Sequence, residues 1–432
     1  MQNLLAPWSQ ATLLWNEVFG KNASQAMGSL SDITSYGAIN TAGIQSPVFS
    51  YSAGQKAVCV SGILDVPVVA TTVEVLYKDP ENNFELTEFL TGFLRRDSDT
   101  LTAGTGGTKT IDQSFKIYSK LCVPADLSAA KNVTSVQFLT HGGTLDNTYW
   151  DFAPGYSYVD AAADKGYATF SYDRLGIANS AHPDPLQIVQ TPLQVELAHS
   201  LIQKLKSASI GGHSFHKVVG VGHSLGAAIT QGVSRLHPDD FDAVALQGHS
   251  AFFAGSGTGF AGAAQQIANT CPDRPELKDL PNGYFTLGPV LQTLQFAFFY
   301  YPHFDPKSTT PSVPRFTPTD DFTVFQKVFD TRQTNAVGET LTLGGSYIPT
   351  TYTKPVQVLN GQQDYFYCQG NCLAEGGEVT ADALAAFYPN RDASRSEAVT
   401  IPNMGHNVNM HYGRQNAFEK ILSFISRAGI EP

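Results

Sequence analysis

The stretch Val218-Val219-Gly220-Val221-Gly222-His223-Ser224-Leu225-Gly226-Ala227-Ala228-Ile229-Thr230 decides how this chain reads. It has the pattern of a short buried strand, a glycine-flanked turn carrying a serine, and the first turns of a helix. The spacing is G-x-S-x-G. In that spacing a serine sits at the apex of a sharp strand-to-helix turn, with its hydroxyl pushed into the open. Gly222 and Gly226 leave no side chain where the helix crowds back on the strand. The free N–H groups of the helix N-terminus lie beneath Ser224 and favour negative charge there. Five residues of this kind recur by chance, so the strand–turn–helix flanks carry the weight.

Outward from this turn, short apolar runs alternate with helical stretches. The runs are Gln113–Cys122, Val136–Leu139, Ala168–Tyr172, Lys217–Val221, Ala243–Leu246, Pro355–Leu359 and Ala398–Ile401. Such runs separated by helices indicate an α/β fold, with a mostly parallel sheet covered on both faces. Before the serine strand, Thr191-Pro192-Leu193-Gln194 reads as an N-cap, a first-turn proline and a capping-box glutamine. Leu193, Leu197, Leu201 and Leu205 then share one helix face. A final helix is expected from Arg414 to Arg427, with Phe418, Ile421, Leu422 and Ile425 inward. Upstream, Ala57–Leu76 is rich in β-branched residues and reads as strand, with Pro67 at an edge or start. Thr100–Thr110 is nearly all Thr and Gly and is expected as a flexible loop.

One interval breaks the alternation. Between Ser250 and Lys354 lie about 100 residues, far more than a crossover needs. An insertion there sits over the carboxyl ends of the strands, where ligands bind, and is expected as a cap. Its aromatics mostly form its own core; Phe252, Phe253, Phe298 and Phe299 are expected to face a substrate, together with His249. The organisation read from this is an N-terminal extension over residues 1–110, packed on the main domain. A core follows in two parts, 111–250 and 354–432, and the cap spans 251–353.

A serine hydroxyl needs a base within reach, and the base needs an acid to orient it. In a sheet of this kind the chain order is Ser, then acid, then His. After Ser224, the strand Val356–Leu359 ends in Asn360-Gly361-Gln362-Gln363-Asp364. The strand Val399–Ile401 then ends in Pro402-Asn403-Met404-Gly405-His406. Ser224 is therefore the expected nucleophile, His406 the base and then acid, and Asp364 the group that orients the imidazole. The competing acid position, Gln247-Gly248-His249-Ser250, holds no carboxylate. Donors for an oxyanion are expected from the backbone N–H groups of Gly143, in His141-Gly142-Gly143-Thr144, and of Leu225. His141 and an Asp173–Arg174 pair are expected to brace loops.

With these motifs in place, the chain resembles the α/β-hydrolase superfamily over about Gln113–Ala428. It is similar to capped serine hydrolases secreted by filamentous fungi. The resemblance implies an eight-stranded, mostly parallel sheet with a triad along its carboxyl edge and a lid above. The serine nucleophile and the aromatic-rich cap then point to a serine hydrolase of carboxylesterase or lactonase type, acting on an ester, lactone or thioester of a fairly large apolar or aromatic molecule. No metal or cofactor is required for that chemistry. The same triad serves carbon–carbon cleavage, acyl transfer or cyclisation in tailoring enzymes. A fold of this kind also supports a non-catalytic binding protein.

Composition sets wider limits. A net charge of -11 argues against nucleic acid as partner, and the 42% of hydrophobic residues suffice for a large core. No apolar run is long enough to span a membrane. The five cysteines fit no zinc spacing; Cys368–Cys372 and Cys59–Cys122 are the candidate disulfides. With sequons at Asn22 and Asn132 they lean toward an oxidising compartment, so a secreted protein is expected and a cytoplasmic one is the alternative. The first residues lack the pattern of an intact signal peptide. Oligomeric state is not legible.

Overall fold

The structure is a computed structural model of the 432-residue chain, and it describes residues 30, 33–95, 97–252, 254–298, 322–374 and 378–432. Among the described residues nine strands form the main sheet. In chain order they are β1 (Gln45–Tyr51), β2 (Ala57–Val75), β3 (Thr105–Pro124), β4 (Ser135–Thr140) and β5 (Ala168–Tyr172). They continue as β6 (Lys217–His223), β7 (Ala243–Gln247), β8 (Val356–Gly361) and β9 (Glu397–Ile401). Their order in space is β9-β8-β7-β6-β4-β5-β3-β2-β1. From β9 to β5 all neighbours are parallel; β3, β2 and β1 add on antiparallel. This is the α/β-hydrolase fold, with nine strands in place of the expected eight.

Alternate residues of the central strands feed two separate cores, because successive side chains of a strand point to opposite faces. Val218, Val244, Leu246, Val356 and Val358 pack with Leu193, Leu197, Leu201 and Leu205 of the helix Thr191–Lys206. Val219, Val221, Ala243, Ala245 and Leu359 pack with Phe418, Ile421, Leu422 and Ile425 of the helix Arg414–Arg427. Burial on both faces is why these strands read as unbroken apolar runs rather than alternating ones.

Two local expectations are corrected and one holds. Thr100–Thr110 is no loop: a helical turn, Thr100–Ala103, leads into β3 at Thr105, and Thr110 and Lys109 pair with Thr71 and Thr72. The long partner β2 supplies a ladder that local sequence does not announce, and β-branched threonines suit it. Pro67 does lie at an edge, since β1 stops pairing with β2 at Ile63. The helix Thr191–Lys206 is capped at Gln190, with no side-chain cap bond. The Thr191 N–H donates instead to Thr342 Oγ1 (2.9 Å), and Gln194 Nε2 donates to Leu175 O (2.9 Å). A distant segment has taken over what a local capping box would do.

Cys59 and Cys122 stand opposite each other on β2 and β3 and are bonded, as are Cys368 and Cys372. Cys271 is free and buried.

Strands β7 and β8 are parallel neighbours, yet the chain between them leaves the sheet for about 100 residues, well beyond a common connection. Its described part holds the helices Ala254–Gly262, Leu291–Phe298, Phe322–Asp330 and Val337–Thr342. A small antiparallel sheet of Gln266–Ile267, Tyr284–Thr286 and Asn335–Ala336 joins them. The Pro/Thr-rich stretch from Pro302 to Pro318 and the first residues of the chain lie outside the described residues. No helix among the described residues is long and apolar enough to cross a membrane.

Candidate active site

Ser224 follows β6 directly and adopts φ 54°, ψ −120°. A non-glycine residue in that region stores roughly 1–3 kcal/mol of strain, which the surroundings must hold in place. They do so through backbone bonds. The Ser224 N–H donates to Gln247 O (2.9 Å), and its carbonyl accepts from the N–H of Ala227 (2.8 Å). A Cβ at Gly222 would lie 2.5 Å from Gly226 O. One at Gly226 would run into the carbonyl of Thr140 at the end of β4. Only glycines let the helix Leu225–Leu236 close on β6 and β4 this tightly.

The two partners come from the ends of β8 and β9, beyond β7. Ser224 Oγ–H donates to His406 Nε2 at 2.8 Å, and His406 Nδ1–H donates to Asp364 Oδ2 at 2.7 Å. Asp364 Oδ1 accepts from the Tyr367 N–H (2.9 Å), so both carboxylate oxygens are engaged. Asp364 and His406 are buried, and Ser224 is 7% exposed. The acid and histidine loops are tied together by Gln362 N–H to Ile401 O (2.8 Å) and Gln363 N–H to Met404 O (2.9 Å). Around the imidazole stand Phe298, Phe366 and Tyr367, with ring centroids 5.2–5.5 Å away. His223 lies 5.0 Å from His406 and bonds Asn407 Oδ1 through Nε2 (3.2 Å). Burial first, then the neighbouring His406, holds its pKa well below the usual value, so His223 stays neutral there.

The loop after β4 completes the rim. His141 Nε2 accepts from the Arg174 N–H (3.1 Å), and Nδ1–H donates to Gly142 O (2.9 Å). Burial and then the Arg174 charge depress its pKa, and it acts as a neutral brace. Thr144 N–H donates to Asn335 Oδ1 (3.2 Å). Among the described residues no acceptor is bonded to the N–H of Gly143 or Leu225, and both residues line one cavity with Ser224. A Cβ at Gly142 would come within 3.0 Å of Ser224 Cβ. The expected Asp173–Arg174 pair is not formed. Asp173 accepts from Asn147 N–H (3.0 Å) and Asn179 N–H (3.1 Å), while buried Arg174 pairs with Glu339 across the fold. Neighbours on a strand end point apart, so adjacency in sequence did not make them partners.

The cavity measures about 160 Å³ and is walled by Phe260, Phe298, Phe366, Tyr347 and Tyr367. Of the expected lining residues, Phe298 is there. Phe252 is 43% exposed and is not part of the wall. Phe253 and Phe299 lie outside the described residues. His249 sits one layer behind: its ring stacks on Tyr347 (5.3 Å) and its Nε2 bonds Gln231 Oε1 (2.6 Å). That bond satisfies a buried polar atom, which keeps the ring from turning to the cavity. Phe366 and Tyr367 went unread although they follow Asp364 directly, and that adjacency was a usable signal. Phe260, Tyr347, Asn335 and Glu339 had none. Among the described residues no group of His, Cys, Asp and Glu is placed to hold a metal.

Residues 138–418 match the alpha/beta hydrolase family, well over half of the chain. The chain belongs to that family. No curated protein matches it. Solved structures that resemble it include a thermophilic esterase from Thermogutta terrifontis, at 13% identity and TM-score 0.47, covering 73% of this chain and 95% of that one. An epoxide hydrolase from Vigna radiata matches at 14% identity and TM-score 0.45, covering 72% and 95%. A putative lipase from Acinetobacter baumannii AYE matches at 14% identity and TM-score 0.45, covering 72% and 89%.

Proposed function

We propose that the protein is a serine hydrolase that cleaves an ester, lactone or thioester of an apolar or aromatic substrate through an acyl-enzyme. The observation that carries this reading is the unbroken chain Ser224 Oγ–His406–Asp364 beside an aromatic-walled cavity. Ser224 attacks the substrate carbonyl as His406 Nε2 takes its proton, and Asp364 holds the opposite ring nitrogen. The N–H groups of Gly143 and Leu225 receive the developing oxyanion. His406 then protonates the departing alcohol or thiol, and water hydrolyses the acyl-serine by the same steps in reverse roles. A cavity of this size takes a group as large as an aromatic ring.

The segment 251–353 serves as a cap in this reading, and residues 1–110 as an N-terminal extension whose described strands, β1, β2 and the start of β3, widen the main sheet. The protein then stands with capped serine hydrolases of the kind filamentous fungi secrete, and its two disulfides support an oxidising compartment. A fluorophosphonate should label Ser224, and Ser224→Ala should abolish labelling. With a panel of aryl esters, the same change should lower kcat by roughly 10⁴-fold or more. Turnover undiminished in Ser224→Ala would refute the mechanism.

A further inference from the structure

One part of the cavity wall is polar, and nothing in the serine chemistry uses it. Gln265, Asn335 and Glu339 line the same cavity as Ser224. The register of the small sheet brings the first two together. Ile267 and Asn335 both stand opposite Phe285, from either side, and Gln265 immediately precedes the strand Gln266–Ile267. Glu339 follows Asn335 by four residues, in the first turn of the helix Val337–Thr342 that leaves this strand.

Each of the three has unspent hydrogen-bonding capacity. Gln265 is 9% exposed, and its Oε1 is buried without a partner among the described residues. Asn335 Oδ1 is occupied by the Thr144 N–H, and its Nδ2 is bonded to no acceptor among the described residues. Glu339 Oε1 is held by Arg174 and by Gln194 Nε2 (2.9 Å), and no donor among the described residues reaches Oε2. A buried amide oxygen left unpaired is costly, and a native fold that keeps one calls for an explanation.

We propose that Gln265, Asn335 and Glu339 form a polar subsite that binds a neutral hydroxyl group of the substrate other than the scissile ester group. The proposal rests on the serine-hydrolase reading above and narrows its substrate class to hydroxylated apolar or aromatic molecules. The three residues offer acceptors (Gln265 Oε1, Glu339 Oε2) and donors (Gln265 Nε2, Asn335 Nδ2) side by side. A hydroxyl donates one bond and accepts up to two, which matches a mixed set. An ammonium group would meet a carboxylate already neutralised by buried Arg174. A carboxylate would meet Glu339 itself.

The test uses the purified full chain and matched aryl-alkanoate esters of stepped length, each with a ring hydroxyl, a ring ammonium or neither. One hydroxylated ester should exceed its unsubstituted twin roughly 10- to 100-fold in kcat/KM. Gln265→Leu, which breaks no bond among the described residues, should bring that ratio close to unity while fluorophosphonate still labels Ser224. Gln265→Met gives the same readout should the leucine variant fail to fold. A ratio unchanged in the variant, no hydroxyl preference at any length, or a preference for the ammonium ester would overturn the subsite and leave the serine reading standing. Loss of wild-type labelling would strike the serine reading instead.

Discussion

The parallel half of the sheet and the segment between β7 and β8 are built in opposite ways. In the sheet, Ser224, Asp364 and His406 sit just past the ends of β6, β8 and β9, and main-chain bonds lock those loops together. In the inserted segment the strands are two or three residues long and the described helices six to nine. There, side chains join a few main-chain bonds, such as Gln333 N–H to Thr144 O (2.8 Å) and Gly338 N–H to Pro185 O (2.9 Å), in tying the segment to the core. Thr342 Oγ1 accepts the Thr191 N–H, Glu339 pairs with Arg174, and Asn335 accepts from Thr144. Backbone geometry thus sets the chemistry, and side-chain contacts set the shape of the cavity. A rigid site with a replaceable wall is the physical form of a fold that serves many substrates.

If that contrast is right, changes in the two regions must fail differently. The largest effect belongs to the sheet. Gly226→Ala pushes a Cβ into the Thr140 carbonyl, and should cost roughly 3 kcal/mol of stability, measured by denaturant unfolding. Serine labelling should slow at least about tenfold with it, since the turn and the β4 loop move together. Wild-type behaviour in both assays would mean that the turn is not held by this packing.

In the inserted segment the effect should be smaller and of another kind. Phe260 lines the cavity, 5.1 Å from Phe366, and is only half-buried. Phe260→Ala should raise KM for bulky apolar esters about tenfold, from lost burial of apolar surface. Its effect on kcat and on the unfolding midpoint should be slight. A fall in kcat equal to that of a triad variant would erase the distinction between wall and engine.

The smallest effect lies on the helical cover of the sheet. His199 Nδ1 bonds Asp240 Oδ2 (2.6 Å), and its ring stacks on His237, which bonds Glu196. The bond to Asp240 raises the His199 pKa above 6.5, against burial. A folded-state value above the unfolded one gives stability that is full below pH 6.5 and fades as pH rises through the raised value. The ring is part-exposed, so the difference between wild type and His199→Gln should be under about 1 kcal/mol and largest at low pH. Denaturant unfolding at pH 5.5 and pH 8.5 measures it; a difference that grew with pH would contradict the assignment.

Legibility followed the range of the forces involved. The runs at Val136, Ala168, Val218, Ala243 and Val356 became strands because double-sided burial demands apolar residues in sequence. Ser224, Asp364 and His406 were legible because each sits one turn past such a run. Thr105–Thr110 was misread because its strand character comes from β2, roughly thirty to forty residues earlier in sequence. Gln194 was misread because Glu339 and Leu175 outbid the local cap. His249 looked like a pocket residue and is a buried neighbour of Gln231, a partner that no spacing rule connects to it.

By itself, the sequence determined the parallel sheet, the strained serine turn and the three side chains that meet beside it. Those features depend on patterns spanning a few residues: unbroken apolar runs, glycine where no Cβ fits, and polar loops at strand ends. Only the tertiary structure decided the pairing of Arg174 with Glu339, the aromatic wall and the polar corner of Gln265, Asn335 and Glu339. The first two join segments far apart in the chain through side chains, and the third also through paired strands of only two or three residues, and contacts of that kind leave no periodic trace.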